Sequence, residues 1–221
     1  MEYFLQNLIN ALQWGSFYAV ISIGYSMVYG VLMLFNFAHG DIFMTGTYIG
    51  CGIATLLLAL LGPVLPGWTI FLLTVAITMF LSAWLGVLVE VVGYRPLRHA
   101  PRASAAITGL MIGIILENAN LILLGTKRLS FPSLIEPQTW QIGGVYLTNV
   151  KVLIIAVSLL LMTGLHLFIH RSKWGMAMRA MSYEFHAVPL MGISVNVLAP
   201  LTFAIGAGLA SVAGVLYGQA Y

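Results

Sequence analysis

The stretch VLIIAVSLLLMTGL, residues 152–165, has no charge and no alternation of apolar with polar side chains. TLLLALLG at 55–62 has the same character. A strand of a membrane barrel alternates over segments of about 10 residues. Lipid leaves only helices or closed barrels as spanning structures, so unbroken runs of this kind read as helices. Composition extends the reading to the whole chain: 61% of the 221 residues are hydrophobic and 7% charged, with mean hydropathy +1.00. A water-soluble domain carries about 25% charged residues. These values therefore exclude a soluble globular protein.

A spanning helix needs about 20 apolar residues, and the chain offers such runs at about 5–33, 42–61, 69–92, 103–124, 152–169 and 199–221. The fold class expected is an all-α polytopic membrane protein with about six transmembrane helices in one domain, 1–221. The opening MEYFLQNLINAL lacks the basic start of a cleaved signal peptide, so the first helix reads as a retained span. Cys51 is the only cysteine, which rules out an intramolecular disulfide. A formal charge of +3 says little about nucleic acid, because every basic cluster flanks an apolar span; none is expected as a partner.

Basic residues also orient the spans. Arg95, Arg98 and Arg102 precede the fourth run, and Arg171, Lys173 and Arg179 follow the fifth. Two spans separate these loops, so they share a side. Lys127, Arg128 and Lys151 lie on the other side. The positive-inside rule puts the richer loops in the cytoplasm and the N-terminus outside.

Against this background FNFAHGDIF, 35–43, stands out. Asp41 is the first charge after Glu2, and the next is Glu90. One reading is an interfacial turn, broken at Gly40 and capped by Asp41. The other is a broken or re-entrant helix near 35–42, whose half-helix N-terminus faces an anionic group of a substrate. Gly40 would then serve close approach or a positive φ, and Asn36, His39 and Asp41 would line the path. Glu117, deep in ITGLMIGIILENANLILLG, reads as either an interhelical hydrogen-bonding group or a substrate contact. His166 and His170 lie four apart but have no third ligand nearby, so no metal site is expected. Gly109/Gly113, Ala204/Gly208 and Ala210/Gly214/Gly218 mark faces for close helix approach. No phosphate-binding loop, zinc-protease motif or nucleophile elbow is present.

YSMVYGVLMLFNFAHGDIFMTGTYIG (25–50), VEVVGYRPLRHAP (89–101), ITGLMIGIILEN (107–118) and RSKWGMAMRAMSYEFHAVPLMGISVNVLAPLTFAIGAGLASVAGVLYGQAY (171–221) together resemble LivH-type permeases of branched-chain amino acid ABC importers. The resemblance covers essentially the whole chain. It implies a non-enzymatic translocation subunit in a bacterial inner membrane, moving branched-chain or related aliphatic amino acids inward. It implies a second related permease, two ATPase subunits that hold ATP and Mg, and a periplasmic binding protein. It also implies an ATPase-coupling loop at 171–198, with Gly175, Arg179, Glu184, Ala187 and Gly192 as coupling residues and Met176, Met178, Met181 and Phe185 as an apolar docking face. Relative to that family Val188 and Pro189 are unusual, Asn196-Val197 replaces a charged pair, and the C-terminus is expected to be incomplete. Urea or short amides are an alternative cargo within the family. An ion-coupled secondary transporter using Asp41 and Glu117 is an alternative class. An intramembrane enzyme built on His39 and Asp41 lacks a nucleophile.

The orientation predicts that a cysteine at position 173, in a Cys51→Ala background, is labelled by an impermeant maleimide only after the cytoplasmic face is opened. Labelling from outside intact cells would invert the topology.

Overall fold

A computed structural model describes residues 2–98, 100–126, 129–185 and 188–221, with only the backbone described at 102 and 142. Among the described residues six helices are long and apolar enough to cross a membrane, which agrees with the fold class read from the runs. They are α1 (Glu2–Leu32), α2 (His39–Leu61), α3 (Gly67–Leu88), α4 (Arg102–Leu124), α5 (Asn149–Arg171) and α7 (Val195–Ala220), with the short α6 (Lys173–Tyr183) between the last two. The third span continues beyond α3 through a π-helical turn, Val89–Tyr94, and a 3₁₀ turn, Arg95–Leu97.

α7 is the axis of the bundle. It packs against α3, α2 and α1 and is buried without interruption from Gly206 to Leu216. Lipid gives helices no hydrophobic reason to associate, so contact rests on backbones that can approach closely. Three neighbours present glycine to α7 for this purpose. A Cβ on Gly86 of α3 would lie 2.5 Å from the Phe203 carbonyl oxygen, and one on Gly46 of α2 would lie 2.6 Å from Ser211 Cβ. At the α1 crossing, a Cβ on Gly24 would lie 3.0 Å from the Gly206 oxygen. The small-residue faces noted in the sequence take part: Gly208 meets Met79, and Gly214 meets Thr47 and Phe43. α4 and α5 are the most exposed spans.

The polar segment between α4 and α5 carries a feature absent from the sequence reading, a two-stranded hairpin. β1 (Thr139–Ile142) pairs antiparallel with β2 (Val145–Thr148). Gly143 (φ +56°) and Gly144 (φ +82°) form its two-residue turn, and left-handed φ at both positions suits glycine and the twist of a tight hairpin. Gln6 of α1 pairs with Tyr146 in both directions, accepting from its N–H at 2.7 Å and donating to its carbonyl at 3.1 Å. Lys151 donates to Asn10 at 2.7 Å. The N-terminal end of α1 is thereby tied to the hairpin and to the start of α5, while Gln219 of α7 accepts from the Leu134 N–H at 3.2 Å.

Gly86→Val should lower thermal stability in detergent by about 1–3 kcal/mol, the usual penalty for overpacking, because the added methyls meet backbone. Gly164→Ala, where nothing lies within 4 Å of the added Cβ, should be neutral or stabilising. Equal melting temperatures for both variants would remove the glycine contacts from the account of packing.

Candidate functional site

α1 ends at Leu32 without a glycine or proline to stop it. The stop is Met33, whose φ of +53° is left-handed, a conformation that costs a non-glycine residue about 1–2 kcal/mol. Residues 34–36 and 33 have no helical structure, and the chain doubles back along α1. His39, the first residue of α2, reaches the carbonyl of Ile21 with Nε2 at 3.2 Å. Ile21 lies roughly three turns before the end of α1, or about 16 Å at 1.5 Å per residue. α2 therefore begins well inside the bundle. The break expected near 35–42 is present as the non-helical segment 33–36 and the turn at 37–38, and it brings the start of α2 back beside α1.

Several contacts hold the break. Asn36 is 1% exposed and His39 3%. The Tyr94 hydroxyl lies 3.3 Å from the Phe35 carbonyl and 3.2 Å from Asn36 Oδ1. α4 closes against the other side: a Cβ on Gly109 would meet the Tyr94 hydroxyl and the Phe37 nitrogen, and one on Gly113 would meet the Asp41 carboxylate. A carbonyl can only accept, so His39 Nε2 carries the hydrogen toward Ile21. Its Nδ1 is buried and has no partner among the described residues.

Two details of the sequence reading are corrected. The residue capping α2 is Ala38, in helical conformation and without a side-chain cap bond. Asp41 is therefore a first-turn residue that favours the helix dipole; it is not an N-cap acceptor. Gly40 does not have the left-handed φ of Gly125, Gly143, Gly144 and Gly192. It lies in open space, with nothing within 4 Å of an added Cβ. The first amides of a helix have no intrahelical acceptor: among the described residues the Gly40 N–H has no backbone partner, and the Asp41 N–H turns to its own carboxylate.

The five residues expected to line the path divide into two groups. Asn36, His39 and Gly40 border one cavity of about 460 Å³, together with Ser22, Tyr25, Ser26 and Phe37. Asp41 turns to the opposite face, toward α4, where its charge interacts with that of Glu117. There Thr45 donates to the Asp41 carbonyl at 2.7 Å and accepts from Asn120 at 2.8 Å. Among the described residues, neither Asp41 nor Glu117 forms an ion pair. Glu117 is exposed on the surface of the chain. A carboxylate at membrane depth faces the bundle interior, a water-filled cavity or a partner.

The cavity also shows what the sequence reading missed. Tyr18, Ser22, Tyr25, Ser26 and Tyr29 follow one another at helical spacing, and all but the half-buried Tyr25 are exposed. The signal was present as hydroxyls three and four residues apart on one helix face. Beside them Tyr29 and Phe35 stack at 4.8 Å and Phe35 and Phe37 at 6.0 Å. The result is a wall with a hydroxyl stripe, an aromatic stack and the amide end of α2.

The 171–198 loop departs from its expected form. The helix ends at Tyr183, and Pro189 sits in a separate 3₁₀ turn closed by left-handed Gly192, φ +78°. Met178 and Met181 are each 1% exposed and Phe185 is half-buried, so they face the core of the bundle instead of outward. Among the described residues of the loop, the large apolar side chains that are exposed are Trp174, Met176, Tyr183, Leu190, Met191 and Val197. Gly175 packs against the last turn of α5, with an added Cβ 2.5 Å from the Phe168 oxygen. Arg179 donates to the Ile169 carbonyl at 2.9 Å, neutralising the negative end of that helix. Glu184 is exposed at the end of α6, and Ala187 lies outside the described residues. His166 and His170 stack at 4.1 Å, and among the described residues no three His, Cys, Asp or Glu converge as a metal site.

Residues 7–221 match the family model described as branched-chain amino acid transport system / permease component. The chain is 40% identical over 225 residues to the high-affinity branched-chain amino acid transport system permease protein BraD of Pseudomonas aeruginosa, covering 99% of this chain and 72% of that one. It is 36% identical to the permease protein LivH of Escherichia coli K12, again over 99% of this chain and 72% of the relative. The LivH of Salmonella typhimurium LT2 is similar at the same identity and coverage. No solved structure matches.

Cysteines placed at 22 and 26 in a Cys51→Ala background should react with a water-soluble maleimide, since only a hydrated thiol ionises readily. Ile122→Cys, on the outer face of α4 and 81% exposed, should not react. Protection of 22 and 26 equal to that of 122 would assign the stripe to lipid or to packing.

Proposed function

Because the chain belongs to the family of branched-chain amino acid transport permease components, we propose that it is the translocation subunit of an ATP-driven importer of branched-chain or related aliphatic amino acids. It is a multi-pass inner-membrane protein, and its N-terminus is periplasmic on the charge argument. A second related permease supplies the opposite wall of the path. Two ATPase subunits, which bind ATP and Mg, dock on the 171–198 loop, and a periplasmic binding protein delivers the cargo.

The observation that carries this reading is the N-terminus of α2, which starts beside α1 at the level of Ile21 and borders an open groove of about 460 Å³. Its Gly40 amide, without a backbone partner, and its positive dipole end suit the substrate carboxylate. The hydroxyls of Ser22 and Ser26 replace part of its hydration, and Phe35 and Phe37 suit an aliphatic side chain. His39 holds the break in shape through Ile21. Asp41 and Glu117 line the α4 side of the path. No bond in the cargo is made or broken; ATP binding and hydrolysis shift the population between outward- and inward-facing states. Docking rests on the exposed Trp174, Met176, Tyr183, Leu190 and Met191, while Gly175, Arg179 and Gly192 shape the loop that presents them. Glu184 and Ala187 belong to the same docking segment.

The test is uptake by the complete complex in liposomes. Gly40→Val should assemble normally, because its side chain meets open space, yet reduce import by at least roughly 10-fold, as expected when a close hydrogen-bonded approach is lost. Wild-type import by Gly40→Val would defeat the carboxylate site. Import that persists in vanadate would favour the ion-coupled alternative.

A further inference from the structure

The π-helical turn at Val89–Tyr94 has no role in the site described above, yet its side chains connect that site to the docking loop. Such turns make up well under 1% of residues in proteins and concentrate at functional positions. Its local cause lies in the sequence: Pro96 has no N–H and its ring crowds the carbonyl four residues earlier. The chain widens to i→i+5 pairing, and the Arg95 N–H meets the Glu90 carbonyl.

Two side chains of this turn, Glu90 and Tyr94, are each 1% exposed. Glu90 is ion-paired with Arg98 through Oε1 and with Arg95 through Oε2 at 3.3 Å. Arg98 also donates to Asn196 Oδ1 at 2.7 Å, and Arg95 to the Asn196 carbonyl at 3.4 Å. Asn196 is the second residue of α7 and follows directly on the docking segment. On the other side, Tyr94 meets Phe35 and Asn36 of the break. A cavity of about 270 Å³ separates the three parts, lined by Leu34 of the break, Glu90, Tyr94 and Arg98 of the turn region, and Met181 and Phe185 of the docking segment. The parts are thus joined by polar contacts at their edges and leave space between them.

We propose that Glu90 and Tyr94 are positioning residues of the transport cycle: the π-turn that carries them transmits movement of the 172–194 loop to the re-entrant break at 33–38. Glu90 fixes the turn to the start of α7 through two arginines, and Tyr94 fixes the break to the turn. A shift of the docking loop that moves Asn196 therefore moves Asn36. This inference rests on the importer reading.

The experiment measures amino acid import and ATP hydrolysis together in the reconstituted complex with loaded binding protein. Tyr94→Phe removes one hydroxyl, and Glu90→Gln removes one charge at nearly constant shape. Both should keep hydrolysis within about twofold of the unmodified complex while import per ATP falls roughly fivefold or more, the scale of one to two lost hydrogen bonds. Asn196→Asp, added to Glu90→Gln, should recover part of the import by giving Arg98 a new carboxylate. A fall in import and hydrolysis in equal proportion, with no recovery in the double variant, would make the residues merely structural and overturn the proposal. An unchanged import-to-hydrolysis ratio in both single variants refutes the inference alone. An unmodified complex that imports without hydrolysing ATP would refute the importer reading and this inference with it.

Discussion

The structure depends on one crossing, where Gly24 of α1, Gly206 of α7 and the imidazole of His39 meet. An added Cβ on Gly24 would lie 3.0 Å from the Gly206 oxygen and 3.3 Å from His39 Cε1. Helices in lipid gain little from hiding apolar surface, so their arrangement follows where backbones can touch. Here the close approach of α1 to α7 leaves room for a ring at the start of α2 and for nothing larger. The level at which α2 starts along α1, the position of the Gly40 amide and the groove beside it all follow from that seat.

Much of this was legible in the sequence, for reasons specific to membranes. The hydrocarbon core sets helix length and forbids unpaired backbone, so six spans and their ends could be read from apolar runs. The break was legible because His39 and Asp41 interrupt a long uncharged stretch. Its depth was not, because depth comes from the His39–Ile21 contact between residues 18 positions apart. The same limit explains the docking loop. Its methionines were visible as an apolar face, but which neighbour that face would cover depends on packing, and Met178 and Met181 cover the core. The hairpin escaped for a different reason: its strands are four residues each, too short for alternation to stand out, although Gly143-Gly144 is a turn signal.

The charges are distributed in a way that separates architecture from transport. Glu90, the acid most deeply buried, is matched by two arginines and serves the frame. Asp41 and Glu117 have no such match among the described residues, and they are half-buried and exposed respectively. A buried pair that loses one member is strongly destabilised, whereas an unmatched membrane carboxylate persists only where something polar visits it. The same residue type therefore carries opposite meanings in α2 and in the π-turn.

Met33 has a consequence for how the protein is made. Nothing in VYGVLMLFNFAHG compels a helix to end at that residue, since it contains no proline and Met33 itself prefers right-handed geometry. The stop is imposed from outside by Tyr94 on Phe35 and Asn36 and by the seating of His39. When only the first span has left the ribosome, Tyr94 does not yet exist, and the segment through residue 38 has every local reason to run on as one straight helix. The bent form therefore depends on the seating of His39 against Ile21 and on the Tyr94 hydroxyl from the third span, rather than on the local sequence of 28–40.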